Sequence, residues 1–173
     1  MATGSPVIDD FSHAHPQSSR GANWQLVSDQ VMGGVSGGQM SRETVAGRRA
    51  LRMRGAVSLE NNGGFLQMAL DIEPEGKGED VTRWTGIALE VCGNGETYNM
   101  HLRTNDVKRS WQSYRQSFKA PPEWLTVHLP FSAFMPHRLE EPLDRSSLRR
   151  IGLVAIGRAF EADLAVSDLR FYE

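Results

Sequence analysis

The stretch Phe65-Leu66-Gln67-Met68-Ala69-Leu70-Asp71-Ile72 decides the fold. Leu66, Met68, Leu70 and Ile72 recur at every second position, opposed by Gln67 and Asp71. Only an extended chain turns a period of two into one apolar and one polar face. The same alternation places Tyr98, Met100 and Leu102 opposite Asn99, His101 and Arg103, and Leu51 and Met53 opposite Arg52 and Arg54. Leu125, Val127 and Leu129 alternate likewise with Thr126 and His128. Ile151-Gly-Leu-Val-Ala-Ile156 is apolar on both faces, which suits a central, covered strand.

Outward from these runs, strands are expected at 23–28, 39–45, 50–59, 64–73, 85–93, 97–104, 113–120, 124–130, 150–157 and 162–172, separated by Gly, Pro and Asn clusters. About ten short strands at such spacing predict an all-β, mostly antiparallel sandwich. Helical periodicity is almost absent, apart from one turn near Asp144-Arg-Ser-Ser-Leu148 that Asp144 is placed to cap. The expected core is Trp24, Leu51, Met53, Leu66, Met68, Leu70, Ile87, Leu89, Met100, Leu102, Phe118, Val127, Leu129, Phe131, Leu153, Ile156 and Leu164. Residues 1–20 are polar and read as a flexible or strap-like tail, and 21–173 as a single domain.

A chain of 173 residues suffices for one core without disulfides or structural metal. Its balance of 19 basic and 21 acidic residues argues against the basic stripe that non-specific nucleic-acid binding needs, and leaves room for a local basic patch. The single Cys92 excludes an intrachain disulfide and favours a reducing compartment. No apolar run approaches the length of a membrane span. Met1 to Gln17 carries Asp9 and Asp10 and has the pattern of neither a secretory signal nor a mitochondrial presequence. A soluble cytoplasmic protein of a bacterium is the expectation.

Three segments are candidates for function. In Trp24-Gln-Leu-Val-Ser-Asp-Gln-Val-Met-Gly-Gly-Val-Ser36, Asp29, Gly33, Gly34 and Ser36 form a tight glycine loop. Its carboxylate serves either the loop amides or a ligand or cation, and the loop reading has more in its favour. In Val57-Ser-Leu-Glu-Asn-Asn-Gly-Gly-Phe65, the residues Asn61, Asn62, Gly63 and Gly64 predict a β-hairpin turn. The third candidate is a surface: Arg52, Arg54, Gln67, Asn99, His101, Arg103 and Arg115 all point outward, and Trp111 lies between two strands where it can stack on a ligand. The alternative is a solvated outer face. Gly34-Val-Ser-Gly-Gly38 fits the G-x-S-x-G nucleophile pattern but lacks the strand-turn-helix setting that pattern requires. His13 and His15 have no third ligand at zinc spacing, and no phosphate-binding glycine motif occurs. No catalytic residue, metal or cofactor is assigned.

The combination of Trp24…Asp29-Gln-Val-Met-Gly-Gly-Val-Ser36 with Val57-Ser-Leu-Glu-Asn-Asn-Gly-Gly-Phe65 resembles the complex I intermediate-associated protein 30 family. Gly95-Glu-Thr-Tyr-Asn-Met-His-Leu-Arg103, Ser113-Tyr114, Phe118, Trp124 to Phe134, Ile151-Gly-Leu, Ala162-Asp-Leu and Leu169-Arg-Phe-Tyr172 continue the likeness to the C-terminus. The resemblance implies a galactose-binding-like jelly roll, a fold shared with carbohydrate-binding modules. It also implies a role as a chaperone in assembly of NADH:ubiquinone oxidoreductase through binding of assembly intermediates, and it brings no established catalytic residues. The leading expectation is therefore a non-enzymatic protein-binding module, with respiratory-complex subunits or intermediates as partners. The alternative is a binder of carbohydrate or another polar small molecule on the outer sheet face. An unrecognised enzyme is the third possibility, and it would need ionisable residues converging in a deep pocket.

Overall fold

A computed structural model describes residues 5–109 and 111–173, the side chains of 31, 32 and 62 excepted. The expected tail positions 1–4 lie outside the described residues. Among the described residues, twelve strands follow one another: β1 (Val7–Asp9), β2 (Gln25–Ser28), β3 (Gly37–Val45), β4 (Arg48–Val57), β5 (Phe65–Asp71), β6 (Gly86–Gly93), β7 (Thr97–Thr104), β8 (Ser113–Lys119), β9 (Leu125–Pro130), β10 (Met135–His137), β11 (Leu148–Ile156) and β12 (Phe160–Tyr172). All ten expected strands are present within a few residues of their expected limits. β1 and β10 are too short to show a period of two, and the sequence pattern does not reveal them.

The strands form two antiparallel sheets. One runs β3-β4-β12-β6-β9, with β1 also paired to β12, and the other runs β10-β8-β7-β11-β5-β2. β12 is long enough to pair with β4 through Phe160–Val166 and with β1 near Leu169 and Arg170. A bulge between Val166 and Asp168 keeps apolar residues facing the opposite sheet. Leu164 and Val166 point inward before it, and Leu169 and Phe171 after it.

The core lies between the sheets. Leu66, Met68 and Leu70 of β5, Tyr98, Met100 and Leu102 of β7, and Ile151 and Leu153 of β11 meet Leu51, Met53, Ile87, Leu89 and Leu164 of the other sheet. Of the expected core, Val127 and Ile156 are only half-buried. Leu125 is exposed at the start of β9, which is an edge strand.

One reading changes. The 58–64 segment is not a hairpin turn: β4 and β5 belong to different sheets, so the segment is an arch from one sheet to the other. Asn61 takes the left-handed conformation (φ 57°) that the Asn-Asn pair suggests, in the short 3-10 turn Glu60–Asn62. Asn-Gly signals a reversal of the chain, and it does not say whether the returning strand joins the same sheet.

The N-terminal segment, expected as a flexible or strap-like tail, is a strap built into the sandwich. Ile8, Asp9 and Phe11 are fully buried. Asp9 accepts hydrogen bonds from the Trp24 indole (2.7 Å) and the Phe11 amide (2.8 Å). The Phe11 and Trp24 rings stack 6.1 Å apart. Of the flexible and strap-like alternatives for this segment, its described residues take the strap-like one.

Candidate binding groove

Asp29 follows β2 and opens a 3-10 turn, Asp29–Met32, with Ser28 as its N-cap. Its carboxylate is fully buried. The Ser36 amide donates to Oδ1 at 2.9 Å. Oδ2 accepts from the Ser36 hydroxyl (2.5 Å) and from the amides of Gly64 (2.5 Å) and Phe65 (3.3 Å). The Ser36 hydroxyl oxygen in turn accepts from the Ser58 amide at 2.8 Å. Burial alone would push the Asp29 carboxyl up, but the hydrogen bonds from Ser36, Gly64 and Phe65 outweigh it and hold the group below its ordinary value.

Gly34 and Gly63 complete the arrangement. A Cβ on Gly34 would stand 2.5 Å from the Asp29 Cγ, and one on Gly63 would strike the carboxylate from the other side. Gly33 supplies the positive φ (87°) that ends the turn. Asp29, Gly33, Gly34 and Ser36 thus form an internal clasp with Gly63 and Gly64, joining the β2–β3 and β4–β5 arches at one end of the sandwich. Ser36 is buried and committed to Asp29 and Ser58, as expected of a loop serine outside any nucleophile elbow.

Apart from Arg52 and Arg54, the remaining candidates are associated with the β10-β8-β7-β11-β5-β2 sheet and its loops. His101 of β7 pairs in register with Arg115 of β8 on one side and Gly152 of β11 on the other. Gly152 carries no side chain, and the Gln67 amide oxygen leans into the place where a Cβ would be. The missing side chain opens a groove. Its two lobes, about 410 and 510 Å³, share Val27, Gln67, His101 and Arg115. These volumes fall in the range of small-ligand sites, roughly 300–1,000 Å³.

The first lobe is bounded by Arg103, Gln112, Arg149, Arg150 and Asp71. Arg103 reaches the carbonyls of Arg109 (3.1 Å) and Gln112 (3.0 Å), which fixes the loop between β7 and β8 as a wall. The second lobe is bounded by Leu59, Gly63, Gly64, Trp111, His137 and Arg138. The Asp29 clasp therefore backs the wall of this lobe through Gly63 and Gly64, and Asp29 itself is fully buried and does not line the groove. Trp111 is 56% exposed at the rim, and the Arg109 guanidinium lies 5.8 Å from its ring centre.

Burial pushes the His101 imidazole down to about 3, helped by Arg115 and His137, so the ring is neutral at physiological pH. Its Nε2 is buried and has no hydrogen-bond partner among the described residues. Burial also lowers Arg115, with Arg138 adding to the shift, and lowers Arg103, with Arg149 and Arg150 adding to it.

Of the expected surface, His101, Arg103, Arg115, Gln67 and Trp111 come together. Asn99 shares the face but sits beyond the groove lining. Arg52 and Arg54 are on the opposite sheet, bound to Glu43 and, for Arg52, to Asp163 through two 2.8 Å hydrogen bonds. Arg149, Arg150, Gln112, His137 and Arg138 carry no signal of their own in the sequence. A bulge between Leu148 and Arg150 lets Arg149 line the same lobe as its neighbour Arg150, and His137 and Arg138 depend on the short β10. No group of His, Cys, Asp and Glu able to hold a metal occurs among the described residues.

Two antiparallel sheets packed face to face, with a groove on one outer face, define a jelly-roll sandwich of the galactose-binding-like kind. The chain belongs to the complex I intermediate-associated protein 30 family, whose sequence pattern matches residues 10–166. No curated protein matches the chain in sequence. Among solved structures, the fold is similar to the family 11 carbohydrate-binding module of the cellulosomal cellulase Lic26A-Cel5E of Clostridium thermocellum. The TM-score is 0.74 at 15% identity, over 99% of this chain and 96% of that one. The family 11 module from Clostridium thermocellum in complex with a β-1,3-1,4-mixed-linked tetrasaccharide gives 0.73 at 15% identity, over 99% and 97%. The family 30 carbohydrate-binding module of the cellulosomal cellulase Cel9D-Cel44B of Clostridium thermocellum gives 0.64 at 15% identity, over 98% and 93%.

Proposed function

We propose that this protein is a non-catalytic binding module that holds a polar, hydroxyl-rich ligand of the carbohydrate class in the groove between Trp111 and Arg150. One observation carries the reading: the groove joins an exposed indole to guanidinium, amide and imidazole groups on rigid strands. Sugar recognition uses these parts, an aromatic plane for the C–H face of a ring and planar polar groups for its hydroxyls. The solved carbohydrate-binding modules of the same fold, one with a tetrasaccharide bound, support this reading. His101 suits it as well, since a neutral imidazole accepts or donates a hydrogen bond without charge.

The test is NMR titration of the labelled protein with neutral and acidic oligosaccharides, following the Trp111 indole and His101 resonances. Saturable shifts confined to the groove support the reading. Shifts absent with neutral and acidic oligosaccharides alike would overturn it.

A second reading has its own observation. The family is described by its association with complex I intermediates. Around the second lobe, Leu59, Trp111 and the nearby Met135 of β10 are 51%, 56% and 67% exposed. Exposed apolar residues rimming a polar cleft suit a protein partner, including a subunit or intermediate of a respiratory complex. Charge reversal at Arg115 that releases a stoichiometric partner protein would favour this reading over the first.

A further inference from the structure

The two outer faces of the sandwich treat their arginines differently. On the β3-β4-β12-β6-β9 sheet, Arg52 is clamped by Asp163 and Glu43, Arg54 reaches Glu43, Arg48 reaches Glu90, and Arg170 reaches Asp168. That face is a closed ionic lattice. In the groove on the other sheet, Arg115, Arg138 and Arg149 form no ion pair with a carboxylate among the described residues, and Arg150 has only a loose 3.9 Å approach to Asp71. Arg115 donates its Nε to the Ser113 hydroxyl (2.9 Å) and Arg149 donates one nitrogen to the Val107 carbonyl (3.4 Å). Arg115 and Arg149 line the first lobe, and Arg115 and Arg138 the second. The chain as a whole carries a net charge of −2, so this local concentration of cations runs against its average.

We propose that the groove selects an anionic sugar, a uronate or sugar phosphate, with its acid group in the lobe of Arg115, Arg149 and Arg150 and its ring directed toward Trp111. The proposal rests on the polar-ligand reading above and deepens it. Guanidinium groups bind carboxylate and phosphate through paired N–H donors. A neutral glycan does not offset the desolvation of such cations. Burial is the main cause that lowers Arg103 and Arg115, and the like charges of Arg149 and Arg150 on the first and of Arg138 on the second add to it. An acid group relieves that repulsion on binding. Asp71 lines the same lobe beside Arg150, so the acid is directed toward Arg115 and Arg149.

The experiment is isothermal titration of the full chain with three probes: a hexauronate, the neutral hexasaccharide of matching linkage, and a hexose 6-phosphate. The hexauronate or the sugar phosphate is expected to bind at least about tenfold more tightly than the neutral chain. That preference should weaken severalfold as salt rises from about 50 to 200 mM. Which acid binds distinguishes carboxylate from phosphate. Arg115→Gln and Arg149→Gln should each lower the affinity about tenfold. Arg54→Gln, which removes the same charge from the opposite face, should leave it unchanged, and thermal melts verify that all three variants are folded. If the neutral hexasaccharide binds as tightly as the acidic probes, the anionic preference is overturned and the polar-ligand reading stands. If acid binding survives both groove variants or is lost equally in Arg54→Gln, the location is wrong. If none of the three probes binds, both readings fall.

Discussion

At the residue scale, Asp29 is fully buried and His101 is largely covered at the floor of the groove, with opposite consequences. Asp29 is charged and saturated, and its four hydrogen bonds tie two arches together. Asp29→Asn keeps the shape but turns one acceptor into a donor facing the Ser36 hydroxyl or the Gly64 amide. It should lower unfolding free energy in urea by about 3 kcal/mol, the scale for breaking a buried, charge-assisted network. A loss below roughly 0.5 kcal/mol would mean that the clasp is incidental. His101 is buried neutral, its folded value near 3 against an ordinary 6.5. Between these values the unfolded chain binds a proton that the folded chain refuses. The stability this group contributes is therefore complete above pH 6.5 and is lost as pH falls, at no more than about 1.4 kcal/mol per pH unit. His101→Gln removes the imidazole and should flatten the decline between about pH 7 and pH 5, read as the difference in urea midpoints between variant and wild type.

At the element scale, a period of two makes the strands legible, and its interruptions hide the rest. Leu66, Met68 and Leu70 face the core as their alternation requires, and so do Tyr98, Met100 and Leu102. The sequence does not say which strands pair. The arch at 58–64 therefore reads as a hairpin, and Arg52 and Arg54 read as neighbours of Arg103. Bulges at Ser167 and Arg149 shift the alternation by one residue, which keeps Leu169 and Phe171 out of the expected core and Arg149 out of the expected surface. The strap escapes the pattern because the three residues of β1 carry too little of it. It is held from outside by Arg20, which donates to the Ser5 and Val7 carbonyls and to Glu79 (2.6 Å) and Glu73 (3.3 Å). Burial, then Glu73, pushes the Glu79 carboxyl up to about 7. The folded state thus binds this proton more tightly than the unfolded chain, whose value is near 4.5. The contribution is full below pH 4.5 and is lost as pH rises through 7. Glu79→Gln should remove that loss. Hydrogen exchange of the strap amides of Val7, Ile8 and Asp9 is the direct readout, slower in the variant than in wild type at about pH 8. Equal exchange in both proteins would show that Glu79 does not govern the strap.

For the whole molecule, the asymmetry of its two faces links stability to binding. Ions screen attraction and repulsion alike, over about 10 Å at 0.1 M. On the β3-β4-β12-β6-β9 face, salt weakens the Arg52 and Arg54 pairs with Glu43 and Asp163. In the groove, salt relieves the repulsion of Arg149 and Arg150 on Arg103 and of Arg138 on Arg115. The net response of the wild type is a small difference of the two, but variants separate them. Arg149→Gln removes a source of repulsion, so it should raise stability at low salt by about 0.5 kcal/mol and lose that advantage as salt rises. Arg54→Gln removes an attraction, so it should lower stability at low salt by a similar amount, with the deficit shrinking as salt rises. The measurement is the urea midpoint of both variants and the wild type across a salt series. Slopes of the same sign for the two variants would show that the groove arginines are not under repulsion. Opposite slopes would mean that this sandwich keeps a destabilising cluster of charge on one face while neutralising the other, an arrangement that an anionic ligand reverses by taking the place of the salt.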